Sequence, residues 1–545
     1  MRLGYRQFGW RWAALLAAAA MSAVLVAGGG SSSTHSPSPG NSGSANGASF
    51  YTGWPTGGQP VRGGTLTVAE TEATNSLDPF EGGYGQQPTA QIFDELTELV
   101  PGNKSEPQMV PGLAASWTIS ANRRVYTFHI REGVRFSNGE KLTGEDVVFS
   151  LRHEMAPAAP GGSLTKAWKN VSLVDPMTVK LELSKPQPAV LEDLYTFAFG
   201  IASKAVYERE GGKAFALHPV GTGPFMVTHV VPGFTEITMK RNPYYWRSGE
   251  PYLNSIVFKL VESDNARVLA VRSGAADVGT GIPYSQAVSL KATTGVKMLI
   301  GPIWGASYNW FNRGKAPFNE IDVRRALMYA TPREEIIKAI YKGLGTPANS
   351  PWGRLKYWDS KVPYYPYDLA KAKELLKHSS VPNGFATTIE VTGGETEGEL
   401  LASILQSSWA RIGVHASIHT VSSATLASNF LSGKYSFTIW PPLSGYSLVY
   451  DPDAEVKIYF TTTEPGFGPP ASKGFVAKAE RATSSASEAE RPALFSELQN
   501  EAYQKEALFV PIANLVSLNL VGDSVRGFQV MPNTFIRMEQ VWLQK

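Results

Sequence analysis

The chain has 545 residues, room for two or three packed domains, and its 18% charged residues fall below the roughly 25% usual for globular domains, which argues against long coiled coils and acidic tails. Its net charge of +3 is the contribution of Arg2, Arg6 and Arg11; without them 47 basic residues face 47 acidic ones, so the remainder has no general attraction for nucleic-acid backbones. The absence of cysteine excludes disulfides, thiolate metal sites and a cysteine nucleophile.

In chain order, the three arginines precede an apolar run from Ala13 to Ala27 that ends in small residues, the pattern of a signal peptide over 1–29. The run is shorter than the roughly 20 apolar residues of a membrane span. The stretch Leu25 to Ser32 resembles a lipoprotein processing site in which Gly29 replaces the lipid-bearing cysteine. The chain is therefore expected to be exported to the periplasmic or extracellular face without a lipid anchor, with its signal either cleaved or kept as an anchor. Residues 30–60 are mostly Gly, Ser, Pro, Asn, Thr and Ala, too polar to fold, and predict a tether of roughly 30 Å reach.

The folded part begins with a strand at Thr65–Val68 and a loop through Asn75-Ser76-Leu77-Asp78-Pro79. Ile92, Leu96 and Leu99 recur at helical spacing and predict a helix over Gln91–Val100. Trp117–Ser120 and Val125–Ile130 read as a hairpin, with Tyr126, Phe128 and Ile130 on one face, and Asn138-Gly139 as a tight turn. Thr143 and Asp146 form a capping box at a helix start, Met177–Leu183 alternates as a strand, and Ile237–Lys240 and Ile256–Val261 add further strands. A helix over Asp322–Ala330 is followed by a second, for which Thr331 and Glu334 supply a capping box and Gly343 a stop. Asp368 caps another helix, and a helix over Leu400–Ile412 stops at Gly413 before the alternating run Val414–Thr420. Strands and helices intermingle throughout, so the class is α/β or mixed α+β.

Several short motifs occur in a specific order: Gly63-Gly64-Thr65-Leu66-Thr67-Val68, Leu113-Ala114-Ala115-Ser116-Trp117, the run Tyr126 to Gly139 ending at Thr143 to Val147, Gly221-Thr222-Gly223-Pro224-Phe225, Arg241 to Trp246, Val323 to Leu327 and Asp451-Pro452-Asp453. In this order, over residues 61–545, the chain resembles the family 5 extracytoplasmic solute-binding proteins of ABC importers, of the oligopeptide- and dipeptide-binding type. The resemblance implies a two-lobed, periplasmic-binding-protein-like α/β fold (type II, large cluster with an extra domain) hinged between its lobes. It divides the chain into a first lobe (61–93, 190–290 and 521–545), an inserted domain (94–189) and a second lobe (291–520). It further implies an exported, monomeric binding protein without cofactor or catalysis. Such a protein traps a short peptide between its lobes, delivers it to an ABC permease, and meets the membrane only through tether or permease.

On the same resemblance, Tyr84 and Gly85 match the first lobe's ligand-facing loop, against a reading as mere surface loop. Trp440 matches a ligand-contacting tryptophan, against a place in the core. Strand alternation over Trp304–Phe311 puts Trp304, Tyr308 and Trp310 on one face, lining the cleft or filling the core. Trp352 and Tyr446 lie in Pro/Gly/Ser-rich loops and are further candidates. Peptide-binding relatives place an aspartate just beyond the matching tryptophan, where it pairs with the peptide's ammonium. Here Pro441 to Tyr446 intervene, and the first carboxylate is Asp451, a displaced ammonium partner or simply a cap. An oligosaccharide, a metal chelate or another small polar solute is thus the alternative ligand.

A secreted hydrolase is the remote alternative. Ser163-Leu164-Thr165-Lys166 fits the S-x-x-K pattern of acyl-enzymes, but its companion motifs are absent. His415 and His419 lie four apart in a segment that alternates like a strand, where that spacing does not suit a metal.

Overall fold

The computed structural model describes residues 52–53, 58–71, 74–81, 87–101, 107–157, 159–439, 449–461 and 465–544. The expected signal peptide and most of the expected tether lie outside them. Among the described residues no helix is long and apolar enough to cross a membrane.

Three sheets carry the fold. A seven-stranded mixed sheet has the order Val296–Pro302, Val516–Gly522, Val278–Gly279, Thr65–Glu70, Ser255–Leu260, Glu236–Arg241 and Phe225–Val230. Thr65–Glu70 runs parallel to both of its neighbours. A five-stranded sheet has the order Val414–Val421, Phe385–Thr392, Phe437–Ile439, Tyr308–Phe311 and Val510–Pro511. A four-stranded antiparallel sheet has the order Ala114–Ile119, Val125–Ile130, Thr178–Leu183 and Trp168–Asp175.

Local sequence explains most of these elements. In Val125–Ile130 the alternate residues Tyr126, Phe128 and Ile130 are buried, and they meet Val179, Leu181 and Leu183 from the neighbouring strand in one core. Gly139 takes a φ of 90° and its N–H closes the turn on the Phe136 carbonyl. Asp146 accepts from the Thr143 N–H at 2.9 Å, completing the capping box of the helix Gly144–His153. Asp368 accepts from Lys371 N at 2.9 Å and starts the helix Leu369–Lys377.

Three local readings are overturned. The helix expected over Gln91–Val100 is a single turn, Thr89–Ile92, followed by the strand Thr97–Pro101 paired with Pro107–Pro111. Leu96 and Leu99 are both buried, so the apolar spacing reported burial while the partner strand decided the conformation. Thr331 caps no helix; its hydroxyl donates back to the Leu327 carbonyl at 2.7 Å, and Pro332 stands at the cap of Arg333–Ala339. The strand expected through Trp304–Phe311 covers only Tyr308–Phe311.

The chain crosses between the seven- and five-stranded sheets at 303–307 and returns at 512–515. The two crossings are hydrogen-bonded to each other, Ser307 N to Ala513 O at 2.8 Å and Ile512 N to Ser307 O at 3.1 Å. Val296–Pro302 and Val516–Leu520, which the sequence division assigned to the second lobe, therefore pair within the first sheet. Apolar patterning marks a strand without naming its partner.

Gly384 and Gly413 precede two neighbouring parallel strands of the five-stranded sheet with φ of 92° and 86°. A Cβ on Gly384 would lie 1.9 Å from the Gly413 carbonyl oxygen. Gly384→Ala is expected to cost about 1–3 kcal/mol of unfolding free energy, read as a lowered urea midpoint.

Candidate functional site

The site is assembled around the two crossings. Trp304 opens the first, its N–H bound to the Pro532 carbonyl at 2.9 Å and its ring against Tyr450 at 5.0 Å. Trp352 meets Phe495 edge-on at 6.0 Å, and its N–H is held by the Ser350 hydroxyl. Gly353 (φ 60°) and Gly305 touch back to back: a Cβ on Gly353 would lie 2.4 Å from Gly305. Only glycine fits there, and the contact draws the Trp304 and Trp352 segments together. Both indoles are fully buried, and neither Nε1 has a hydrogen-bond acceptor. A buried indole N–H normally finds one.

Trp310 sits elsewhere. It is enclosed by Phe430, Tyr459, Phe460, Phe467 and Phe509 in the core around the five-stranded sheet. Only the backbone of Tyr308 is described, in the strand Tyr308–Phe311. Tyr84, Gly85, Trp440 and Tyr446 lie outside the described residues. His415 and His419 are exposed on the edge strand Val414–Val421.

Asp451 is no free ammonium partner. Its two oxygens accept from Arg491 at 2.8 Å each, and Arg491 also reaches Asp453 at 2.8 Å. Burial alone would raise the Asp451 carboxyl, but Arg491 and Lys356 hold it below its ordinary range. Burial, with Asp451 beside it, pushes Asp453 up to about 7.

Sequence reasoning missed the charged side chains that join the bodies. Lys356 stands 2.7 Å from Glu192, and Arg123 2.8 Å from Glu488. In each pair one residue belongs to the chain around the four-stranded sheet and the other to that around the five-stranded sheet. A second buried cluster ties the strand Thr97–Pro101 to the C-terminal segment, with Arg537 contacting Glu98 and Glu539, and Arg247 reaching Glu98. Asp94 beside it accepts from Thr222 and Trp246, and burial pushes it up to about 6. Arg537 and Glu539 excepted, these partners stand more than a hundred residues apart, a separation that leaves no signal in a single sequence.

Residues 108–467 match the family model described as bacterial extracellular solute-binding proteins, family 5 Middle. The chain belongs to that family. The glutathione-binding protein GsiB of Escherichia coli (strain K12) is 28% identical over 498 residues, covering 88% of this chain and 94% of that protein. The periplasmic binding protein DppA of Helicobacter pylori, solved with the peptide STSA, is 28% identical with a TM-score of 0.76 and covers 89% of this chain and 99% of its own. AgaA of A. tumefaciens R10, solved with agropinic acid, is 25% identical with a TM-score of 0.74, covering 88% and 99%. Family 5 members are solute-binding proteins of ABC importers, not enzymes, and the mixed α/β architecture is that of their two-domain type II fold.

Arg491→Met would leave the Asp451 and Asp453 carboxylates buried without their common partner. The expected cost is about 3–5 kcal/mol of unfolding free energy, measured by urea denaturation at pH 8.

Proposed function

We propose that this family 5 protein captures a short peptide between two lobes and hands it to an ABC permease. The observation that carries the reading is the placement of Trp304 and Trp352 at the crossing segments, drawn together by the Gly305–Gly353 contact, with buried indole N–H groups that lack acceptors, a lack they share with Trp168 and Trp409 away from the crossings. A peptide carbonyl or carboxylate supplies the missing acceptor, and closure places it in a water-poor site where the bond counts most. The peptide of the DppA complex and the glutathione in GsiB's name, itself a tripeptide, support the same ligand class.

In this reading the lobes divide near the crossings at 303–307 and 512–515, and the four-stranded sheet forms the inserted domain. Tyr84, Gly85, Tyr308, Trp440 and Tyr446 join Trp304 and Trp352 around the ligand, while Trp310 supports the second lobe from within. The protein acts as an exported monomer, its 1–29 segment the signal and 30–60 the tether, with no lipid because Gly29 replaces the cysteine. A second reading, a non-peptide solute, is favoured by Arg491, which occupies Asp451 and leaves no ammonium anchor there. The agropinic acid held by AgaA supports that class.

The test is tryptophan-fluorescence titration with Ser-Thr-Ser-Ala, glutathione and a neutral oligosaccharide. Peptide binding at micromolar concentration is expected. Trp304→Phe keeps the ring and deletes the donor, and is expected to weaken peptide binding roughly fivefold, about 1 kcal/mol. An unchanged affinity removes Trp304 from the site, and binding of the oligosaccharide alone selects the second reading.

A further inference from the structure

The loop that follows Trp352 carries two cations in different circumstances. Lys356 is taken by Glu192 at 2.7 Å. Arg354 has no carboxylate partner among the described residues: of the five N–H donors of its guanidinium, one is used, from Nη2 to the Thr346 hydroxyl at 2.7 Å. Its Nε is enclosed and has no acceptor. Burial lowers the guanidinium from its ordinary value, and no neighbouring carboxylate offsets this. The group is nonetheless held in place, 5.6 Å from the ring of Trp358, whose own Nε1 donates to Asn349 at 2.8 Å. Arg313 and Arg333 also keep a nitrogen without an acceptor, but both are buried in the core and tied to backbone carbonyls. Arg354 is only partly buried and is tied to a neutral hydroxyl.

The position of this cation gives it a role. Thr346, which receives Arg354, belongs to the short strand Thr346–Pro347, paired with Ala513–Asn514 on the returning crossing. Asn514 Nδ2 donates to the same Thr346 hydroxyl at 3.4 Å and to the Pro347 carbonyl at 3.1 Å, while its buried Oδ1 has no donor. One hydroxyl thus gathers a guanidinium that lacks an acceptor and an amide oxygen that lacks a donor. Two residues before Arg354 stands Trp352, drawn to the first crossing by the contact of Gly353 with Gly305. We infer that Arg354 anchors a carboxylate of the bound solute, with Asn514 Oδ1 accepting from an N–H beside that carboxylate. The inference rests on the reading that the crossings line the ligand site, and it adds the chemical class of the solute. The planar fork of a guanidinium matches a carboxylate with two parallel, charge-assisted hydrogen bonds. An amide or hydroxyl in that place leaves the partly buried charge unpaired. The last residue of a peptide offers both groups, its carboxylate and its own N–H; an acidic sugar offers the first alone.

Two pairs of probes, titrated against the whole chain by tryptophan fluorescence, test the anchor. Ser-Thr-Ser-Ala is compared with its C-terminal amide, and a neutral oligosaccharide with the same sugar ending in a uronic acid. The peptide acid is expected to bind roughly tenfold or more tightly than its amide. In Arg354→Gln that preference is expected to fall below about twofold, through weaker binding of the acid, with the affinity for the amide unchanged. Arg354→Lys keeps the charge but not the fork, and is expected to retain part of the preference. A loss of acid and amide binding alike in both variants marks a structural role and overturns the anchor. An acid preference that Arg354→Gln retains in full overturns it as well. An acid preference in the sugar pair alone, lost in Arg354→Gln, sustains the anchor and removes the peptide reading. Equal binding of the two peptides, with no preference in the sugar pair, removes the anchor and leaves the peptide reading standing.

Discussion

The double crossing of the chain is the constraint on which the rest depends. At 303–307 and 512–515 two extended segments pass side by side between the seven- and five-stranded sheets, hydrogen-bonded through Ser307, Ile512 and Ala513. The return segment is also gripped by Thr346–Pro347, which pairs with Ala513–Asn514. The larger core runs from the five-stranded sheet to residues of the seven-stranded one, Ala69, Val296, Leu518 and Leu520 among them, while the other face of the seven-stranded sheet packs on a core of its own. Trp304, Gly305 and, through the glycine contact, Trp352 are placed by the same two segments. In the proposed reading, ligand contact and hinge are one piece of structure.

Buried charge is gathered in two clusters. Around Arg537 two guanidinium groups, its own and that of Arg247, face Glu98 and Glu539, with the Asp94 and Glu95 carboxyls raised by burial beside them. That cluster pins the strand Thr97–Pro101 to the C-terminal segment. Around Arg491 one guanidinium holds both Asp451 and Asp453. Each cluster fixes geometry at little net gain, because losing its cation would leave carboxylates buried without a partner.

Much of the fold was legible without coordinates. Alternation over Val125–Ile130 and Thr178–Leu183, the capping box at Thr143 and the cap at Asp368 are local features, and local chemistry was enough to read them. The family resemblance was carried by turn glycines, prolines and aromatic runs in order, and the match over 108–467 rests on the same stretch. The site was harder to read. Trp304, Trp310 and Trp352 look alike as apolar aromatics, yet Trp310 is ringed by phenylalanine and tyrosine while the indoles of Trp304 and Trp352 lack acceptors.

What the sequence alone determined was the class of elements, their rough extents and the family, because those follow from spacing, caps and turns within a few residues. What only the tertiary structure decided was pairing across long separations. Val296–Pro302 joins the first sheet, Thr97–Pro101 becomes a strand, Asp451 is taken by Arg491 forty residues away, and Glu192 meets Lys356. In each case the deciding energy, a ladder of backbone hydrogen bonds or a neutralised buried charge, belongs to two distant segments at once and leaves no trace in either one alone.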